Sequence, residues 1–184
     1  MDVRATTIEG CFEIISDVRG DDRGWFARAF SGPDLLAMGI EFHVQHANVA
    51  FTATAGTARG LHYQVAPHGE TKLFRCVSGA VFDVAVDLRE GSESFGAWFG
   101  TELTPANGKA LLVPKGCAHG YMALEDQTVV VYFADEIYVP DAERVLSIAH
   151  QGVGVSWPIE VTSLSPKDAT ADPRAVLEGS GYRT

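Results

Sequence analysis

The sequence predicts an all-β fold, a jelly-roll barrel or sandwich with a few short helices. Three observations carry that prediction. Apolar residues alternate with period two: Ala80, Phe82, Val84, Val86 and Leu88 fall on one strand face, while Asp83, Asp87 and Arg89 fall on the other and make it more polar. Runs rich in β-branched and aromatic residues recur over 97–103 and 129–133. Turn chemistry separates the runs, at Gly20-Asp21-Asp22-Arg23-Gly24, Pro105-Ala106-Asn107-Gly108, Pro114-Lys115-Gly116 and Pro140-Asp141. Many short strands with such spacing mark a sandwich or barrel.

Helix is confined to short pieces. Residues 33–38 follow Ser31, a capping residue, with Pro33 near the start and Gly39 as the stop. A second short helix is expected in the Pro-, Asp- and Ala-containing stretch from Ser165, ahead of a loose tail over 179–184. No repeat, low-complexity segment or linker interrupts the 184 residues, which are read as one domain long enough to bury its own core.

Composition excludes several function classes. The net charge of −10, with no block of like charge, argues against a general nucleic-acid or anionic-membrane binder. Any anion must therefore be held by a few local cations. Cys11, Cys76 and Cys117 are odd in number and widely spaced, which fits neither a disulfide framework nor a zinc ribbon. The first residues lack an apolar signal region, and no apolar run approaches the roughly 20 residues of a membrane helix. These features predict a soluble cytoplasmic protein without nucleic-acid or membrane partners.

Three histidine-containing segments are candidates for chemistry: Arg59-Gly60-Leu61-His62-Tyr63-Gln64, Pro114-Lys115-Gly116-Cys117-Ala118-His119-Gly120 and Gln45-His46-Ala47-Asn48. A lone histidine is more often a hydrogen-bonded structural residue than a catalyst, and company decides otherwise. His62 has Arg59 and Gly60 beside it, with Lys72 ten residues on. The Pro-x-Gly-x-x-His spacing at Pro114, Gly116 and His119 resembles the second motif of the cupin superfamily. A metal cupin, however, carries His-x-His where this chain reads His62-Tyr63-Gln64. His62, Glu70 and His119 are then at most three ligands, opposed by the cation Lys72, so no metal is expected.

A longer resemblance runs from about Ile8 to Pro173. Its stretches include Asp22-Arg23-Gly24-Trp25-Phe26, the segment from Gly56 to Gln64, Glu70-Thr71-Lys72-Leu73, and Phe82 through Arg89. Pro114 through Gly120, Tyr132, Tyr138-Val139-Pro140, Trp157-Pro158 and Leu164-Ser165-Pro166-Lys167-Asp168 continue it. Each run is short, and their order and spacing together are specific. The chain resembles the dTDP-4-dehydrorhamnose 3,5-epimerase family of cupin-type jelly rolls, which acts on nucleotide-linked 4-keto-6-deoxy sugars.

Inverting a carbon beside a ketone needs a base, a group to hold the enolate oxygen, and an acid on the opposite face. A neutral imidazole suits the first role, because its ordinary pKa lies near 6.5. The resemblance implies that His62 is this base and Asp168 its partner. From residue types alone, Asp168 is a cap in a Ser-x-x-Asp turn. The resemblance also implies Lys72 at the enolate and Tyr132 as the opposite acid, although periodicity alone makes Tyr132 a core aromatic. His119 is expected to shape or polarise the sugar site. Arg23 and Arg59 resemble the family's diphosphate contacts, Gln45 and Asn48 its nucleotide-lining strand, and Phe26 and Tyr138 are expected to pack against base or sugar.

The resemblance further implies a homodimer sharing N-terminal strands, and no organic cofactor. The chain departs from the family pattern at Asn48-Val49-Ala50, where relatives read Asn-x-Ser, and at Ala149-His150-Gln151. Inversion at C3, C5 or both remains open. So do a monofunctional 3- or 5-epimerase, a keto-isomerase on the same scaffold, and a non-catalytic sugar-nucleotide binding cupin.

Overall fold

A computed structural model describes residues 1–183. In chain order the strands are β1 (Asp2–Ala5), β2 (Phe12–Ile15), β3 (Val18–Asp21), β4 (Gly24–Ala27), β5 (His46–Thr52), β6 (Ala58–Gln64) and β7 (Lys72–Ser78). They continue with β8 (Val81–Asp87), β9 (Trp98–Leu103), β10 (Lys109–Val113), β11 (Cys117–Ala123), β12 (Thr128–Ala134) and β13 (Glu143–Val145). Two short helices complete the set, α1 (Gly32–Ala37) and α2 (Pro166–Ala169). One sheet runs β1-β2-β10-β7-β12-β5 and the other β13-β6-β11-β8-β9, while β3 and β4 form a separate hairpin. The ladders are antiparallel, as the jelly-roll prediction requires.

The expected strand periods hold, but the polar face of β8 is buried. Val84, Val86 and Leu88 pack with Leu61, Met122, Leu146 and Ile148 on the outside of the five-stranded sheet. Asp83 and Asp87, the polar side of the alternation, are completely buried as well. The physical reason is that both faces are covered: the opposite sheet lies inside and the irregular chain beyond β12 lies outside. Asp87 survives there because Arg89 donates from Nε and Nη2, and Ser92 and Ser94 each donate at 2.6 Å. Burial alone would raise that carboxyl; these hydrogen bonds outweigh it and hold Asp87 well below the usual carboxylate range.

The helices are as short as the composition suggested. Ser31 caps α1 by accepting from the Asp34 amide, and Gly39 follows its end at φ +80°. By contrast, the expected loose tail is a packed segment over 179–183, with Thr184 outside the described residues. Ser180 is fully buried and donates to the Leu88 carbonyl from both its amide and its hydroxyl. The Tyr182 hydroxyl accepts from the Gly69 amide at 2.6 Å. Gly179 and Gly181 concealed this docking in the sequence, because small residues that look flexible also permit close approach.

One irregularity aims the site. Arg59 and His62 are three apart, so strict alternation would send them to opposite faces of β6. The β6–β11 ladder shifts register between His119↔His62 and Tyr121↔Arg59, a β-bulge that turns both side chains into one cavity. Gly60 sits at the bulge with φ +112°, and a Cβ there would lie 2.7 Å from the His119 carbonyl oxygen. Gly60→Ala is expected to cost about 2–4 kcal/mol through strain plus clash. The check is a lower urea midpoint at unchanged m-value.

Candidate active site

The two sheets enclose a cavity of about 520 Å³, reached by Arg59 and His62 from β6, Lys72 and Phe74 from β7, His119 and Tyr121 from β11, and Tyr132 from β12. A second cavity of about 420 Å³ adjoins it and shares His62, Lys72 and Tyr132. Those three side chains therefore stand at the wall between two hollows.

His62 Nε2 lies 2.6 Å from Asp168 Oδ1. An ionised carboxylate only accepts, so Nε2 carries the hydrogen and the Nδ1 lone pair is left for a reactant. Burial lowers the His62 pKa below the ordinary imidazole value, and the pull of Asp168 in the other direction is smaller. The ring is thus neutral at pH 7. Asp168 itself feels burial first, which would raise it, but its hydrogen bonds from His62, Ser165 and the Gly60 amide bring it below the usual range. The capping turn read from the sequence is also present: the Asp168 amide donates to Ser165 Oγ at the start of α2. The helix cap and the His62 partner are one residue, using different atoms.

Lys72 Nζ is 2.8 Å from Glu70 Oε1, with both side chains largely buried. Tyr132 stacks on Phe74 with ring centroids 5.8 Å apart, and Phe74 also packs against His119 and Tyr121. These aromatic rings exclude water from one side of the cavity. The Tyr121 hydroxyl is tied to Thr52, whereas Tyr132 has no hydrogen-bond partner among the described residues. Burial, followed by the charge of Glu70, raises the Tyr132 phenol above its ordinary value and keeps it protonated. His119 Nε2 meets Asp83 Oδ1 at 2.8 Å, and burial raises the fully enclosed Asp83 carboxyl despite the pull of His119. Arg59 is anchored by the Phe51 carbonyl at 3.0 Å and lines the first cavity.

The fold agrees with comparison to known proteins. A family model described as dTDP-4-dehydrorhamnose 3,5-epimerase matches residues 5–175. A Shigella flexneri dTDP-4-dehydrorhamnose 3,5-epimerase is 36% identical over 91% of this chain and 93% of its own length. The chain belongs to this epimerase family. It is accordingly an isomerase. A crystal structure of the Bacillus anthracis 3,5-epimerase with TDP and pyrophosphate bound superposes with a TM-score of 0.89 at 36% identity, covering 93% of this chain and 98% of that one. A dTDP-4-dehydrorhamnose 3-epimerase of Streptomyces niveus is 34% identical over 93% of this chain and 83% of its own. Family membership thus spans enzymes named for one inverted centre and for two.

Within a single chain the predicted residues fall into three groups. His62, Asp168, Lys72, Tyr132, Arg59 and His119 line the first cavity. Asn48 and Tyr138 line the second, where the Tyr138 hydroxyl donates to Glu143 at 2.9 Å. Arg23, Phe26 and Gln45 line neither cavity. Arg23 lies on the β3–β4 turn against Asp21, Phe26 is 67% exposed on β4, and exposed Gln45 immediately precedes β5.

Sequence reasoning treated Glu70 only as a third metal ligand and Gln64 only as the break in a metal motif, and it gave Asp83 no part in the site. Glu70 was open to discovery, because it stands two residues before Lys72 in extended chain and so shares its face. Asp83 was read only as part of the more polar face of its strand. Gln64 joins the loops around the second cavity, donating to the His68 and Ile137 carbonyls and accepting from the Val139 amide. No helix among the described residues is long and apolar enough to cross a membrane.

Proposed function

We propose that the chain epimerises a dTDP-linked 4-keto-6-deoxyhexose at C3, C5 or both. The observation that carries this reading is that a neutral imidazole from β6 and, from the opposite sheet, an ammonium on β7 and a protonated phenol on β12 line the same two adjoining cavities. His62 Nδ1 takes the proton from the carbon beside the ketone, and the C–H electron pair moves through the carbon to the carbonyl oxygen. Lys72 donates hydrogen bonds to that enolate oxygen. As the enolate collapses, the Tyr132 hydroxyl delivers its proton to the other face of the carbon. Solvent then removes the proton from imidazolium and restores the phenol. Asp168 stabilises the imidazolium throughout.

Arg59 is suited to the diphosphate, with Asn48 and Tyr138 at the adjoining hollow. A homodimer accounts for the remaining predicted contacts. The β3–β4 hairpin stands apart from both sheets and exposes Trp25, Phe26 and Arg23, as an arm that completes a partner's site would. Cytoplasmic residence fits three cysteines that are buried and unpaired.

The test is incubation with dTDP-4-keto-6-deoxyglucose in deuterated water, followed by mass analysis of the sugar. Incorporation of one deuterium supports a single inversion, as in the relative named a 3-epimerase, and two support inversion at both centres. Recovery of substrate with no deuterium after prolonged incubation refutes the proposal.

A further inference from the structure

Glu70 is an acidic side chain beside the proposed chemistry that the mechanism does not use. It meets Lys72 Nζ at 2.8 Å, the two side chains are only 15% and 13% exposed, and both line the cavity shared with His62 and Tyr132. Its backbone is pinned on both sides. Tyr182 holds the preceding Gly69 amide, and a Cβ on Gly69 would lie 2.4 Å from the Tyr182 ring, so no larger residue fits there. The following Thr71 amide donates to Asp135 Oδ1 at 2.6 Å. A long lysine side chain has rotamer freedom to lose, and an immobile carboxylate restricts it before substrate arrives.

We propose that Glu70 is a positioning residue: it fixes the Lys72 ammonium at the wall between the cavities and sets the charge that the Tyr132 phenol faces. The inference rests on the epimerase reading above and adds to it. Register places the groups together, since Lys72 pairs with Ala134 and Phe74 with Tyr132, making Lys72 and Tyr132 diagonal neighbours on one face. Glu70, Lys72, Arg59, His62, Tyr121 and His119 are among the titratable side chains that share a cavity with the phenol. Among the other acids of the two cavities, Asp168 is bonded to His62, Glu143 to Tyr138 and Lys167, and Glu136 accepts from the Ile137 amide. Glu70 is the nearby carboxylate with an electrostatic effect on Tyr132, ranking after burial in raising the phenol, while Arg59 opposes it.

The charge and the placement separate in two variants. Glu70→Gln keeps an acceptor for Lys72 but removes the negative charge, whereas Glu70→Ala removes both. Deuterium incorporation from solvent is followed against pH in wild type and both variants, and the tyrosinate ultraviolet band is titrated in the same proteins, with Tyr132→Phe as the spectral reference. Glu70→Ala is expected to lose about a hundredfold in kcat, the cost of roughly 1 Å of misplacement. Glu70→Gln should recover most of that loss while its alkaline limb, and the Tyr132 contribution to the band, move to lower pH. Wild-type kcat in Glu70→Ala, or an unmoved alkaline limb and band in Glu70→Gln, overturns the proposal alone if wild type exchanges deuterium. Absence of exchange in wild type overturns the epimerase reading, and this proposal falls with it.

Discussion

His62→Ala is expected to abolish solvent exchange of the sugar's α-protons, lowering incorporation by about 10²–10⁴-fold, the usual contribution of a positioned general base. dTDP affinity should stay within a few fold, because Arg59 and the nucleotide-facing residues are untouched. The assignment needs defending, since the cavity holds two imidazoles and each has a carboxylate partner. His62 keeps 28% of its side chain exposed and His119 only 7%. His119 also packs against an aromatic ring, tilted 56° to Phe74 with centroids 4.8 Å apart. An atom that must reach a C–H bond needs open space beside it, and His62 has more. His119→Ala should therefore retain measurable exchange where His62→Ala does not. Wild-type exchange in His62→Ala would place the base elsewhere.

Much of this arrangement was legible in the sequence, and the illegible parts have definite physical causes. Period-two patterning located β8, β9 and β12 because side-chain alternation is a local property of extended backbone. It misplaced Asp83 and Asp87, since alternation distinguishes two faces without saying whether either is wet. A bulge is not periodic at all. The three-residue spacing of Arg59 and His62 argues against a shared face until the register shift opposite Gly120 is seen. The ends of the chain misled for a related reason: Gly and Ser at 179–181 suggest mobility, yet Ser180 and Tyr182 close against Leu88 and Gly69. The proposed catalytic quartet was legible only through family resemblance, with residue types alone leaving Asp168 a cap and Tyr132 a core ring. Arg23 and Phe26 show the opposite limit: both stand on the exposed β3–β4 hairpin and line neither of the two adjoining cavities, so the single chain assigns them no partner in the proposed chemistry.

Asp168→Asn is expected to lower kcat by about 10³–10⁴-fold, as conversion of a carboxylate partner of histidine to an amide does when it enforces the wrong tautomer. The carboxylate faces two donors at once: His62 Nε2 at 2.6 Å from Oδ1, and the Gly60 amide at 3.4 Å from Oδ2. An asparagine has only one oxygen. Turned toward His62, it leaves its NH₂ facing the buried Gly60 N–H, donor against donor. Turned toward Gly60, it presents NH₂ to Nε2, makes that nitrogen an acceptor and moves the ring hydrogen to Nδ1, where the base is needed. Leaving Gly60 unsatisfied costs about 1–3 kcal/mol, which favours the inactive tautomer. The pH profile separates this from simple unfolding. In wild type, burial holds His62 below 6.5, so kcat/KM should be level through neutrality and fall only as the pH drops below the ordinary imidazole value. Asp168 opposes that lowering, so its neutralisation must move the acid limb to still lower pH even as the plateau sinks. A reduced plateau with an acid limb displaced upward would show that Asp168 does not act on the His62 ring.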